Sequence, residues 1–146
     1  VDIMTATERS KRMSLIRSKD TQPELLVRKL VHSMGYRYRS HDSALPGRPD
    51  IVFKSRRKVI FVHGCFWHLH RNCANSRPPK SKLDYWRPKL EGNVTRDKLV
   101  RGRLRRLGWQ QLVIWECEVD DRERLTRKLE KFLGTGVITN LLEETA

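Results

Sequence analysis

Four potential metal ligands constrain this chain more than any other feature. Cys65-x4-His70-x2-Cys73 lies in an aperiodic stretch, and Cys117 stands directly after an apolar run. Residues 63–90 hold Cys, His, Pro, Trp and many Lys and Arg without helical or strand periodicity. A loop of that length is uncommon in a compact domain unless it is functional or pinned. Three cysteines are too few, and odd in number, for a disulfide scaffold. Zn²⁺ instead prefers four thiolate or imidazole ligands in a tetrahedron, and a Cys2His cluster with a distant Cys would complete that set. His68 competes with His70 for the fourth place, and spacing does not separate them. The competing reading is three unrelated thiols. Free Cys is usually buried and inert, which suits Cys117 but not Cys73 beside Arg71 and Asn72. A full ligand set leaves no open position, so a structural centre is expected.

The flanking segments carry clear elements. Thr21-Gln22-Pro23-Glu24 has a capping Thr, an early Pro and Glu at the third position, so a helix is expected to start there. Leu25, Leu26, Leu30, Val31 and Met34 follow at helical spacing, and Gly35 marks its end. Tyr36–Arg39 alternates aromatic and basic residues like a half-buried strand. Leu45-Pro46-Gly47-Arg48-Pro49 is a turn leading into a strand at Asp50–Phe53. A second turn at Ser55–Arg57 precedes a buried strand at Lys58–Val62, and the two strands are expected to form a hairpin. Asn93–Leu107 reads as a helix with Val100, Leu104 and Leu107 on one face. Gln111–Glu116 reads as a strand, and Asp120-Asp121-Arg122-Glu123 opens a last helix carrying Leu125, Leu129, Phe132 and Leu133. This order predicts an α/β or α+β layer around a small mixed sheet. At 146 residues one domain is expected, at 21–146, preceded by a basic arm at 1–20 in which the capping-box pattern of Thr5-Ala6-Thr7-Glu8 predicts the start of a short helix. No repeat, low-complexity tract or linker is visible.

Charge narrows the partner. Thirty-one Lys and Arg against 17 Asp and Glu leave a net charge of +14. That density points to a polyanion, with nucleic acid first, because neutralised phosphates release counterions. No stretch pairs a basic face with a Trp/Leu face, as a membrane-surface helix would. The longest bulky apolar run, Val59–Val62, is far short of a bilayer span. Residues 1–11 carry no apolar core of a secretory signal. A chain that opens on Val1 rather than Met is expected to lack a few native residues.

Three further groups carry chemistry. Asp50 opens a strand and His63 closes the next. A carboxylate at a strand end beside a carbonyl can hold Mg²⁺ against a phosphate, although Asp after Pro is also a common turn residue. Histidine can act as a general acid or base near neutral pH, which makes His63 and His68 candidates. Phe66, Trp67, Tyr85 and Trp86 lie among Arg71, Arg77, Lys80, Lys82, Arg87 and Lys89, a mixture suited to wedging between bases. Trp67 packing over the metal site is the alternative. Glu24 is accounted for by the helix cap, and Asp97 by its basic neighbours, unless it orients a histidine.

These residues together resemble the very-short-patch repair (Vsr) endonuclease family. The match is carried by Leu45-Pro46-Gly47-Arg48-Pro49-Asp50 and Val59-Ile60-Phe61-Val62-His63-Gly64-Cys65-Phe66-Trp67-His68. Asn93-Val94, Arg96-Asp97, Leu107-Gly108-Trp109 and Val113-Ile114-Trp115-Glu116-Cys117 extend it, from about Thr7 to Leu133. The resemblance implies a restriction-endonuclease-like α/β core, a small mixed sheet flanked by helices with a zinc-pinned loop. It is a PD-(D/E)xK variant in which histidines replace the Glu-x-Lys. It implies a Mg²⁺-dependent nick 5′ of the thymine in T:G mismatches left by 5-methylcytosine deamination, and one structural zinc.

Carried over by position, Asp50 and the backbone carbonyl of Val62 would hold Mg²⁺. His63 and His68 would be catalytic, one of them polarising or deprotonating the attacking water, with Glu24 and Asp97 as supporting carboxylates. Zinc would take Cys65, His70, Cys73 and Cys117. Phe66, Trp67 and Trp86 would enter the duplex from the major groove. Lys89 and Asn93 would lie near the mismatch, and Met13 of the arm would cross the minor groove. Asn72–Asp84 has no counterpart among the family motifs. The implied partner is double-stranded DNA with a T:G mismatch, met by a monomer in the bacterial cytoplasm at the nucleoid. Mismatch-repair proteins are candidate recruiters, and no membrane is involved. Two rival readings share these residues: a restriction-type nuclease on matched DNA, and a zinc-stabilised DNA-binding module without catalysis.

Overall fold

A computed structural model describes residues 20–77 and 81–134. Residues 1–19 of the N-terminal arm, with Met13 and the helix expected at Thr5, lie outside the described residues. So do Lys80 and residues 135–146.

Helix α1 (Gln22–Ser33) starts where its cap dictates: the Thr21 side chain accepts from the Glu24 N–H at 3.4 Å, and Pro23 sits in the first turn. Its inner face is Val27, Leu30 and Val31, with Glu24. Leu25 and Leu26 point outward at 38% and 49% exposure, because they lie off the 3.6-residue stripe that meets the sheet. The chain reverses at Gly35 (φ +91°).

The expected strand at Tyr36–Arg39 is reduced to β1 (Arg39–Ser40), which is exposed. Tyr36 is drawn into the core instead, edge-on to Phe53, with its hydroxyl donating to the Gly134 carbonyl. Strands β2 (Ile51–Phe53) and β3 (Lys58–His63) form the expected hairpin, through a 3-10 turn and a left-handed Arg57 (φ +53°). Strand β4 (Gln110–Trp115) joins β3 in parallel. The sheet order is β1-β2-β3-β4, with the first two pairings antiparallel. Parallel neighbours need a long crossover. Here it is the metal-ligand loop followed by helix α2 (Leu83–Arg106).

Helix α2 begins ten residues before the expected Asn93. Pro88 and the scarcity of apolar residues give this stretch no helical signature in sequence. Pro88 removes only the bond that its N–H would make to the Asp84 carbonyl, and the fully buried Leu90 ties the segment to the body. Leu104 is buried as expected and Val100 half-buried, but Leu107 is the C-cap and lies 54% exposed. Helix α3 (Arg122–Leu133) is capped by Asp121 and buries Leu125, Leu129 and Leu133.

The period of two along each strand divides these side chains between two layers. Ile51, Phe53, Ile60 and Ile114 meet α1 and α3 on one face. Val52, Val59 and Phe61 meet Leu104 of α2 on the other. Each fully buried Val, Leu or Ile contributes roughly 1.5–3 kcal/mol. By the same alternation Asp50 shares a face with Val52, and His63 with Phe61, so both point toward the α2 side. No helix among the described residues is long and apolar enough to cross a membrane.

Candidate active site and metal centre

A cavity of about 410 Å³ opens between α1, the β2–β3 ends and α2. Glu24, Asp50, Val62, His63, His68, Asn93 and Asp97, all singled out from the sequence, line it together with His41, Gly47, Arg48, Phe61, Arg96 and Val100.

Asp50 is anchored by the strand beside it. Its Oδ2 accepts from the Val62 N–H at 2.7 Å. The N–H and C=O of a strand residue point to one edge, so the Val62 carbonyl faces the same side. Burial pushes the Asp50 carboxyl up to about 7; the Val62 bond opposes this, and the neighbouring Glu24 charge adds to it. A desolvated carboxylate facing a second carboxylate and a backbone carbonyl is an oxygen-donor set suited to Mg²⁺.

Glu24 is not spent on the helix cap. Its carboxylate accepts from the Asp20 N–H (2.8 Å) and from Arg28 (3.0 Å), and meets His41 Nε2 at 3.2 Å. The same His41 nitrogen lies 3.5 Å from Asp50 Oδ1. The sequence reading missed His41. The β1–β2 register places it: Ser40 pairs with Ile51, so the next residue stands opposite Asp50, and no local sequence signal marks that pairing.

The two catalytic candidates from the His-Gly-Cys-Phe-Trp-His block lie face to face. The rings of His63 and His68 stack at 3.8 Å, within 3° of parallel. His68 Nδ1 lies 2.7 Å from Asp97 Oδ2, which makes Nδ1 the protonated nitrogen and leaves Nε2 an acceptor. Burial, reinforced by His68, pushes His63 down to about 4, so its ring is neutral near pH 7.

Cys65, His70, Cys73 and Cys117 form a second group, with their ligand atoms all within 4.8 Å of one another. A zinc tetrahedron with ~2.3 Å Zn–S bonds has edges of about 3.8 Å, so small adjustments complete it. His70 rather than His68 belongs to this group, because His68 is engaged by Asp97. Cys117 is exposed, in a 3-10 turn after β4, and Cys65 is the buried thiol, the reverse of what an inert Cys117 would require. Burial pushes the Cys65 thiol up to about 12. The loop is further pinned by His70 N–H to the Cys65 carbonyl (3.0 Å) and by Ser76 Oγ to the carbonyls of His70 and Cys73.

Trp115, not Trp67, covers this group, stacking on His70 at 4.1 Å and 11°. Trp67 belongs to an aromatic cluster with Phe66 and Trp86, at centroid distances of 5.2–5.8 Å. Lys89 Nζ stands over both Trp67 and the exposed Tyr85. Asn93 donates to the Trp67 carbonyl at 3.0 Å and accepts from Arg96, which joins the cluster to the cavity wall.

Comparison with known proteins places these features in context. A sequence model described as DNA mismatch endonuclease Vsr matches residues 1–75. The chain is 49% identical over 132 residues to a Xanthomonas oryzae protein named type II nicking enzyme V.XorIIP, covering 90% of this chain and 96% of that one. It is 43% identical over 130 residues to type II nicking enzyme V.NmeAIP of Neisseria meningitidis, covering 86% and 92%. It is 42% identical over 125 residues to the DNA mismatch endonuclease Vsr of Escherichia coli, covering 86% and 80%.

Proposed function

The chain belongs to the Vsr family of DNA mismatch endonucleases, and from that premise we propose that it is a Mg²⁺-dependent nickase cutting 5′ of the thymine in T:G mismatches. The observation that carries this reading is the meeting of Asp50, the Val62 backbone and the His63–His68–Asp97 group in one cavity, with an aromatic cluster at its margin.

Asp50 and the Val62 carbonyl would hold the Mg²⁺. When bound, that ion supplies Lewis-acid charge against the phosphate of the scissile bond. The chain's own groups do the rest. His68, with Nδ1–H held by Asp97, offers Nε2 to take the proton of the attacking water. His63 stays neutral and packs flat on His68, fixing its plane. As that proton passes to His68 Nε2 the water oxygen bonds to phosphorus, the P–O3′ bond breaks, and the departing O3′ takes a proton from solvent, giving a 3′-hydroxyl and a 5′-phosphate. Glu24 places negative charge beside Asp50, which favours cation binding there.

Selectivity belongs to the aromatic cluster. Phe66, Trp67 and Trp86 would wedge beside the mismatch, with Lys89 neutralising a phosphate and Asn93 holding Trp67 in register. Unstacking costs a few kcal/mol per step and least at a mismatch, so a T:G pair opens more readily than a Watson–Crick pair. Zinc on Cys65, His70, Cys73 and Cys117 is structural. The enzyme works as a monomer on chromosomal DNA in the cytoplasm, since a single-strand nick needs one active site.

The test is a nicking assay with Mg²⁺ on end-labelled duplexes with randomised flanks and a central T:G or C:G pair. A nick 5′ of the thymine, in mismatched DNA only, is expected. Cutting of the matched duplex would replace this reading with a restriction-type one, and tight binding without cutting would leave only a binding module.

A further inference from the structure

His68 is oriented by a carboxylate; His63 is not. The Nδ1 of His63 is buried without a hydrogen-bond partner among the described residues. Its ring is held by other rings: His68 on its face, Phe61 at 5.8 Å and Trp115 edge-on at 5.3 Å and 74°. Trp115 is placed there by register, because His63 and Trp115 are paired across β3 and β4. Trp115 is itself clamped. Its backbone N–H donates to Glu118 Oε1 at 3.0 Å, Glu118 is held by Lys128 at 2.8 Å, and the Trp115 ring lies flat on His70. A row of rings therefore runs from His70 through Trp115 and His63 to His68 and ends on Asp97.

We propose that Trp115 is the positioning residue of His63. It substitutes for the carboxylate that His63 lacks and ties the geometry of the catalytic histidines to the cysteine–histidine metal centre. This inference rests on the proposed role of His63 and His68 in hydrolysis. Without the Trp115 ring, one wall of the His63 site is gone, and the imidazole turns away from the face of His68. The conservative Trp115→Phe keeps an aromatic wall; Trp115→Leu keeps an apolar side chain but not the wall.

The full zinc-loaded chain carries the test. Trp115→Leu is expected to keep its zinc and its affinity for a T:G duplex, while the single-turnover nicking rate at saturating DNA falls about 10- to 100-fold. Trp115→Phe should restore most of that rate. In ¹H–¹⁵N spectra the ring resonances of His63 should move in Trp115→Leu and return toward the parent position in Trp115→Phe. A parent-like rate in Trp115→Leu, or a loss confined to DNA affinity, would overturn the proposal. Should Trp115→Leu lose its zinc, Trp115→Met keeps a long apolar side chain against His70 without a flat wall for His63, and a parent-like rate with zinc bound is the overturning result there. His63→Ala separates the two levels. If it nicks normally, the reading of the site fails, and this inference with it. If it is inactive while Trp115→Leu is normal, only the inference fails.

Discussion

Asp50 and Val62 are joined by a hydrogen bond from a backbone N–H to a carboxylate oxygen, 2.7 Å long. The strand itself therefore aims the acid, independently of any side-chain partner. Asp50→Asn keeps an oxygen to accept that bond and removes the charge. Nicking should fall by ~10³-fold or more, with DNA affinity little changed. Retained nicking would remove Asp50 from the chemistry.

The same residue makes stability depend on pH. The folded state holds the Asp50 proton more tightly than the unfolded state, from an ordinary 3.8 up to about 7. Its contribution is therefore full below about pH 4 and lost as pH rises through 7. With zinc bound and no added Mg²⁺, Asp50→Asn should melt above the parent protein at pH 8, and the gap should close toward pH 4. A gap independent of pH would contradict the burial argument.

His63 works in the opposite direction. Its pKa falls on folding, from 6.5 to about 4, so its contribution is full above pH 6.5 and lost as the pH drops toward 4. His63→Phe keeps the stacking and removes the titration. Denaturant midpoints from pH 7.5 to 4.5 should decline less steeply in the variant. Asp97→Asn, which leaves the ring of His68 without its anchoring charge, should slow nicking about 10- to 100-fold at constant DNA affinity.

Zinc should hold the loop after β3. Burial keeps the Cys65 thiol protonated in the metal-free protein, so binding must release protons and weaken in acid. Structural zinc sites supply roughly 10–16 kcal/mol in small domains. Chelation, or Cys73→Ser, should therefore open the loop to trypsin at Arg71. A loop equally resistant with and without metal would deny the ion its structural role.

Gly47 closes the cavity wall where no side chain fits. Its φ is +76°, and a Cβ there would lie 2.6 Å from Val100 Cγ1 and 3.3 Å from Phe61 Cε1. Gly47→Ala adds left-handed strain of ~1–2 kcal/mol and overpacking of ~1–3 kcal/mol. Thermal or denaturant unfolding should show a loss of about 2–5 kcal/mol. Adding Val100→Ala should recover the packing part only, a non-additive pair.

Much of this protein was legible from its residues in order. The run from Lys58 to Val62 reads as a buried strand because β-branched and aromatic side chains fill both of its faces, and β3 extends it by one residue. Thr21, Pro23 and Asp121 announce helix starts through bonds made within a single turn. The Cys-x4-His-x2-Cys spacing confines three ligands to one loop, and the Pro-Gly-Arg-Pro-Asp block places a carboxylate at a strand mouth.

Tertiary structure decided what passes between distant segments. His70 rather than His68 stands with the three cysteines, and His68 is engaged instead by Asp97, 29 residues away on a helix. The first ten residues of α2 are helical because Leu90 is buried against the body, not because Pro88 and its neighbours favour a helix. His41 reaches Glu24 and Asp50 through the register of a short edge strand, and Trp115 reaches both His63 and His70 through the parallel pairing of β3 and β4. Periodicity and capping act over a few residues, so they are written in the chain. Register and crossover are settled by burying two faces of one sheet at once, and no local pattern contains that balance.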